Sequence, residues 1–191
     1  TLNIQVVSFS EKYMGLPTAV GRITSGTFDH IGERARGKIQ GWSEKLLACA
    51  GRETLLKSVV QKIPTYPMRT FLFTKKVCKS LTSPMAKYFW SSSLDKKSMH
   101  WVSWKELATP KCNGGMGFRD MRSFNHALLA KQAWRLLASP DSLCSRLLKA
   151  KYYKHGQLLD TVFPSNGSDV WKDILHGQRK GLFGAWGMVQ Q

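Results

Sequence analysis

"PKCNGGMGFRDM", residues 110–121, places three glycines within four positions, directly ahead of Phe118, Arg119 and Asp120. Its reading decides the fold class. A glycine-rich loop between a buried strand and a helix cradles phosphates, and would mark a nucleotide site. The same glycines in a tight turn would instead join elements of a helical domain. A cradle needs a helix that opens at the last glycine and often a lysine set on the phosphates. Here Gly117 is followed by an aromatic residue and then by Asp120, an acid that competes for the N-terminal amides a phosphate would need. These residues favour a hairpin-like turn, with Met116 and Phe118 packing inward.

Working outward, the segments on both sides are helical. Downstream, a helix starts near Asp120 or Ser123 and runs to Ala138, with Ala127, Ala130, Trp134 and Leu137 on one stripe and Trp134 expected in the core. Lys131 and Arg135 form an i, i+4 basic pair on it. Ser139-Pro140-Asp141 closes it and opens another helix to about Tyr153, because proline is favoured at the first helical position. After the Asn166-Gly167 turn, Ser168 caps a short helix over Asp169–Leu175. The tail "GLFGAWGMVQQ" has no clear period and reads as irregular.

Upstream, "SWKE" (103–106) fits a capping box, so a short helix begins at Trp104 and stops before Pro110. Residues 99–104 read as a strand or an extended entry. A helix over Lys75–Trp90 is expected to break at Pro84, since an interior proline costs about 3 kcal/mol. Another runs from about Glu53 to Lys62, and Ser25 caps one carrying Phe28, Ile31, Ile39 and Trp42 on one face. "NIQVVSF" is β-rich and is stopped by Gly15 and Pro17 in "YMGLP". The expected class is mainly α: a helical bundle with a short N-terminal β-hairpin and room for a second two-stranded element near 99–118. The chain divides into a hairpin (1–24), a helical region (25–92), a downstream helical extension with the glycine-rich connector (93–176) and an irregular tail (177–191).

The 191 residues carry 29 Lys and Arg against 12 Asp and Glu, a formal charge of +17 and a pI near 10.0. That excess points to polyanions, most often nucleic acid. It is concentrated between Arg34 and Lys79, where eleven basic residues face only Glu44 and Glu53. The four cysteines (Cys49, Cys78, Cys112, Cys144) lack the close pairing of zinc sites and read as packing thiols of a reducing, intracellular compartment. No apolar run approaches the roughly 18 residues of a membrane span, so no membrane partner is expected. The acids are scattered, without an adjacent pair of aspartates, and no H-E-x-x-H or G-x-S-x-G occurs. Asp169 and Asp173 read as surface charge, His100 and His126 as surface or packing residues. No catalytic residue, metal site or cofactor is assigned.

"YMGLPTAVGR" (13–22), "IQGWSEKLLACAGRETLLKSVVQKIPTYPM" (39–68), "HWVSWKELATPKCNGGMGFRDMRSFNHALLAKQAWRLL" (100–137) and "PDSLCSRLLKAKYY" (140–153) occur in that order. Over roughly residues 11–175 they resemble the C-terminal part of reverse transcriptases from plant LINE-type, non-LTR retrotransposons. The resemblance implies a primer grip at "YMGLP", followed by a helical thumb and its extension holding an RNA or RNA/DNA duplex by its phosphates. The family's metal-binding Ala-Asp-Asp motif lies upstream of "Y-x-G-L-P" and is not in this sequence, and a ribonuclease H domain often follows. The expectation is therefore a truncated copy without its own catalytic site, which would take a palm portion as partner if the reading frame is longer. The nucleic-acid contacts it implies are Tyr13 and Gly15 at the primer end, with Arg36, Lys38, Lys45, Arg52, Lys57 and Lys62 on the duplex. An inert relic that binds polyanions by charge alone is the alternative. Nucleus and mitochondrion are the expected compartments.

Overall fold

The computed structural model describes residues 12–13, 16–17, 26–43, 47–91, 94, 99–154, 156–161 and 167–189. The order is β1 (Lys12–Tyr13), β2 (Leu16–Pro17), α1 (Asp29–Ser43), α2 (Cys49–Ser58), α3 (Thr65–Met68), α4 (Lys75–Ser91), α5 (Trp104–Leu107), α6 (Met121–Ala138), α7 (Leu143–Tyr152) and α8 (Asp169–Val189). The mainly helical class read from the sequence is the class observed. β1 and β2 pair antiparallel, with Lys12 opposite Pro17 and Tyr13 opposite Leu16. The expected cap at Ser25 lies outside the described residues.

One core gathers side chains from Phe28 to Met121. Ile31, Ala35 and Ile39, four residues apart, turn one face of α1 inward, and α1 packs against α4. The two helices run the same way. Gly32 lies against Ser80 near their starts, where an added Cβ would stand 3.0 Å from the serine hydroxyl. Trp42 meets Tyr88 near their ends, with ring centroids 6.3 Å apart.

Helix α4 does not break at Pro84, contrary to the expectation from sequence. Pro84 is one of its buried positions, in step with Val77, Leu81, Met85, Tyr88 and Phe89. Burying five such side chains gains about 1.5–3 kcal/mol each, which exceeds the roughly 3 kcal/mol proline penalty even at the low end. Packing overrides local preference here.

Between 99 and 118 no strand forms among the described residues, so the second two-stranded element is absent, while Ser103 enters α5 in an extended conformation. The segment instead folds around α5. Its capping box is made: the Glu106 amide donates to Ser103 Oγ at 3.3 Å, and the Ser103 amide donates to Glu106 Oε2 at 3.0 Å. Asp120 caps α6 as read, accepting from the Ser123 amide at 2.9 Å. Helix α7 begins later than expected, with Ser142 rather than the Pro140 turn as its cap; Ser142 Oγ accepts from the Ser145 amide at 3.3 Å.

A second core holds Ala133, Leu136, Leu158, Trp171, Ile174 and Leu175. Trp171 is fully buried, stacked on Tyr152 at 4.7 Å and on Tyr153 at 5.8 Å. Ser168 caps α8 as expected, its hydroxyl taking the Trp171 amide at 3.3 Å and the Tyr152 hydroxyl at 3.0 Å. Helix α8 then continues through the supposedly irregular tail to Val189. At Gly177 α8 lies close against α6: an added Cβ would fall 2.4 Å from Leu129 Cβ.

The side chains facing inward from α6 are Met121, Asn125, Leu129, Ala133 and Leu136. The stripe read from sequence was therefore displaced, and Trp134 is 58% exposed rather than in the core. Apolar residues lie nearly all round this helix, so periodicity alone does not choose its buried side. The cysteines need the same correction. Only Cys78 is buried, whereas Cys49, Cys112 and Cys144 are exposed.

The connection between α3 and α4 is clamped from two helices. Asn125 Oδ1 accepts from the Phe73 amide at 2.7 Å, while Nδ2 donates to Met68 O at 2.7 Å and Phe71 O at 2.9 Å. Asp173 Oδ2 on α8 accepts from the Leu72 amide at 2.8 Å. It is therefore a structural acceptor, not the surface charge read from sequence. Burial pushes the Asp173 carboxyl up to about 6; the nearby Asp169 charge adds to this, and the Leu72 hydrogen bond opposes it. An unfolded aspartate titrates near 3.9, so the folded chain holds the proton more tightly and loses stability as pH rises through about 6. Without solvent that difference would be roughly 3 kcal/mol, and partial exposure reduces it to about 1 kcal/mol. Asp173→Asn keeps an oxygen for Leu72 and removes the charge. Urea melts should show it about 1 kcal/mol more stable than the parent at pH 7.5, with the gap closing towards pH 4. A variant destabilised at pH 7.5 would contradict this account.

Candidate nucleic-acid interface

The structure separates the cations of the basic stretch into two groups. Arg34, Arg36 and Lys38 are exposed on α1, flanking the stripe of its buried Ile31, Ala35 and Ile39. Lys75, Lys76 and Lys79 are exposed on the first half of the neighbouring α4, which contains no acidic residue. Lys62 and Arg69 are exposed between them in sequence. Among the described residues, no carboxylate lies within 4.0 Å of any of these eight side chains. Their charge is therefore free to face a polyanion.

Two of the predicted contacts belong to the other group. Arg52 is half-buried, and its Nη1 donates to Phe89 O at 2.7 Å and more weakly to Tyr88 O at 3.4 Å. These are carbonyls at the end of α4, where a cation complements the helix dipole. Lys57 donates to Glu53 Oε1 at 2.6 Å and to Met116 O, and its ammonium lies 5.0 Å from the centre of the Phe118 ring. Glu53 also meets Lys111 at 3.6 Å. The Lys57 hydrogen bond chiefly holds the Glu53 carboxyl below its usual range, and Lys111 adds to the effect. Arg52 and Lys57 thus tie helices and loop together.

Of the other predicted contacts, Arg36, Lys38 and Lys62 stand at the surface. Tyr13 lies in β1, with its backbone paired to Leu16. Gly15 and Lys45 fall outside the described residues.

The glycine loop has no amides left for a phosphate. The amide of Gly114 donates to Lys111 O, Gly115 to Pro110 O, Gly117 to Thr109 O, and Met116 and Phe118 both to Leu107 O, at 2.9 to 3.2 Å. Gly114 and Gly117 take left-handed φ values of 82° and 69°. Gly115 passes so close to Thr109 that an added Cβ would stand 2.2 Å from its carbonyl oxygen. Phe118 is buried against Trp104 and Phe89, as the turn reading required.

Two features escaped the sequence reading. Tyr66 is 40% exposed beside Arg69 and Arg135 at the mouth of a cavity of about 450 Å3 between α3, α6, α7 and α8. Tyr66 and Arg69, three residues apart around Pro67, were the available local signal. His126 and His176 stack between α6 and α8 with centroids 5.2 Å apart. Burial first, and then neighbouring charge from Lys180 and Arg122, pushes both below the usual imidazole range. Among the described residues, no three His, Cys, Asp or Glu side chains converge as metal ligands, and no helix is long and apolar enough to cross a membrane.

The chain is 41% identical over 117 residues to an uncharacterized mitochondrial protein of Arabidopsis thaliana, covering 61% of this chain and 76% of that one. It is 36% identical over 167 residues to another Arabidopsis thaliana protein, which carries the provisional name of a ribonuclease H protein. That match covers 86% of this chain, which spans only 27% of the longer relative. No family model and no solved structure matches the chain.

Proposed function

The chain belongs to the family of the uncharacterized Arabidopsis mitochondrial protein, and on that premise we propose that it is a retroelement-related module that binds nucleic acid. Its role is that of a thumb in an RNA-directed DNA polymerase of the LINE type: it holds an RNA or RNA/DNA duplex by the phosphate backbone and has no catalytic site of its own. The observation that carries this reading is the set of exposed cations on the paired helices α1 and α4, none with a carboxylate within 4.0 Å among the described residues. Two further points support it. The sequence resembles the thumb region of such polymerases in segment order. The ribonuclease H name of the longer relative accords with the domain that often follows that region. Arg36, Lys38 and Lys62 are the duplex contacts, joined by Arg34, Lys75, Lys76 and Lys79. Arg52 and Lys57 act on the fold, and the setting is nuclear or mitochondrial.

Binding to a labelled RNA/DNA hybrid, followed by fluorescence anisotropy between 50 and 200 mM salt, tests this. Each phosphate contact contributes about 0.9 to the slope of log affinity against log salt for B-form duplexes. Arg36→Ala/Lys38→Ala should therefore flatten the slope by roughly 2, while leaving the melting temperature unchanged because both side chains are exposed. An unchanged slope would remove α1 from the interface. Equal affinity for hybrid, duplex DNA and heparin at 150 mM salt would reduce the module to a relic that binds by charge alone.

A further inference from the structure

We propose that the cavity between α3, α6, α7 and α8 receives one unpaired nucleotide, its base against Tyr66 and its phosphate between Arg69 and Arg135. The proposal rests on the nucleic-acid reading above and gives it a second, single-strand site. At about 450 Å3 the cavity lies within the range of small-molecule sites. Its apolar lining comes from Leu136, Leu148, Val170 and Ile174, beside the polar Thr70, Gln132, Ser139 and Ser142. No aspartate or glutamate lines it.

The groups at its mouth are set by the fold. Tyr66 sits on α3 between Pro64 and Pro67, with the Met68 amide bonded to Pro64 O at 3.0 Å and the Arg69 amide to Tyr66 O at 3.1 Å. This short, stiff turn presents an aromatic ring that is 40% exposed and an arginine three residues later. Arg135 comes from α6, its Nη1 donating weakly to Gln132 Oε1 at 3.4 Å. Both guanidiniums lack a carboxylate within 4.0 Å among the described residues. An aromatic ring, an apolar part of the lining and two planar cations without a carboxylate partner suit a base with its phosphate. A paired base keeps both faces stacked in its duplex and cannot enter a recess of this size.

Two hybrids, one blunt and one with three unpaired 3′ nucleotides, and a labelled dT12 strand separate the sites. Stacking of one base predicts that the overhang hybrid binds about 5- to 150-fold tighter than the blunt one. Tyr66→Ala should abolish that advantage and weaken dT12 binding, while Tyr66→Phe, which keeps the ring, retains both. Arg135→Ala should also lower the advantage, with blunt-hybrid binding and melting temperature little changed. Equal affinity for the two hybrids would overturn the site, as would a Tyr66→Phe variant as defective as Tyr66→Ala. Oligoglutamate displacing dT12 as readily as unlabelled dT12 does would assign the cavity to an acidic peptide instead. Because dT12 is read by itself, loss of blunt-hybrid binding with dT12 binding intact would count against the duplex reading alone.

Discussion

Asn125→Ala should cost about 4 kcal/mol of folding free energy, a large share of the roughly 5–15 kcal/mol that holds a domain folded. The side chain is 1% exposed and makes three hydrogen bonds of 2.7 to 2.9 Å, one accepted and two donated. Alanine leaves the Phe73 amide and the Met68 and Phe71 carbonyls facing apolar neighbours. Each buried group stranded in this way costs about 1–3 kcal/mol, and the three do not add fully because they share one loop. Asn125→Asp keeps only the acceptor and sets a carboxylate against two carbonyls, so it should be at least as damaging. Denaturant unfolding monitored by far-ultraviolet circular dichroism measures both. A loss below about 1 kcal/mol for the alanine variant would mean that water replaces the clamp.

Gly177→Ala should destabilise the chain by about 2 kcal/mol, although alanine is the better helix former by about 1 kcal/mol. The added methyl would lie 2.4 Å from Leu129 Cβ and 2.8 Å from the Ala130 nitrogen, atoms fixed to the body of α6. The helices must part there, which loosens the packing of Leu129, fully buried on α6. Overpacking of this kind typically costs 1–3 kcal/mol. Gly37 on α1 supplies the matched control. It has open space where the Cβ would go, so Gly37→Ala should gain roughly 0.5–1 kcal/mol. If both alanine variants shift the urea midpoint in the same direction, the close approach at Gly177 is not what limits the α6–α8 packing.

What was legible in the sequence was what short stretches determine. Ser103 with Glu106, Asp120 and Ser168 each announce a cap through neighbours three residues away, and each makes that cap. The glycine loop read as a turn because its competing residues, Phe118 and Asp120, stand beside it. Pro84, the tail and the inward side of α6 were not legible, since partners distant in the chain decide them. Proline is tolerated because α4 is pinned on α1, and α8 extends past Gly177 along α6. A polar Asn125 occupies the buried stripe because its partners lie more than fifty residues away. The same limit applied to the site. In sequence Arg52 and Lys57 are as basic as Arg36 and Lys38, and only the end of α4 and the glycine loop reveal that they are already engaged.

Helix α6 lends its first half to one core and its second half to the other. Neither core can open without stripping one side of this helix, and a half-supported helix of about nine residues is too short to persist by itself. The two cores are thereby joined into a single cooperative unit, with no stable half-folded intermediate between them. A pull on one end of the chain would be resisted by the apolar contacts of both cores at once, with α6 acting as the common axle.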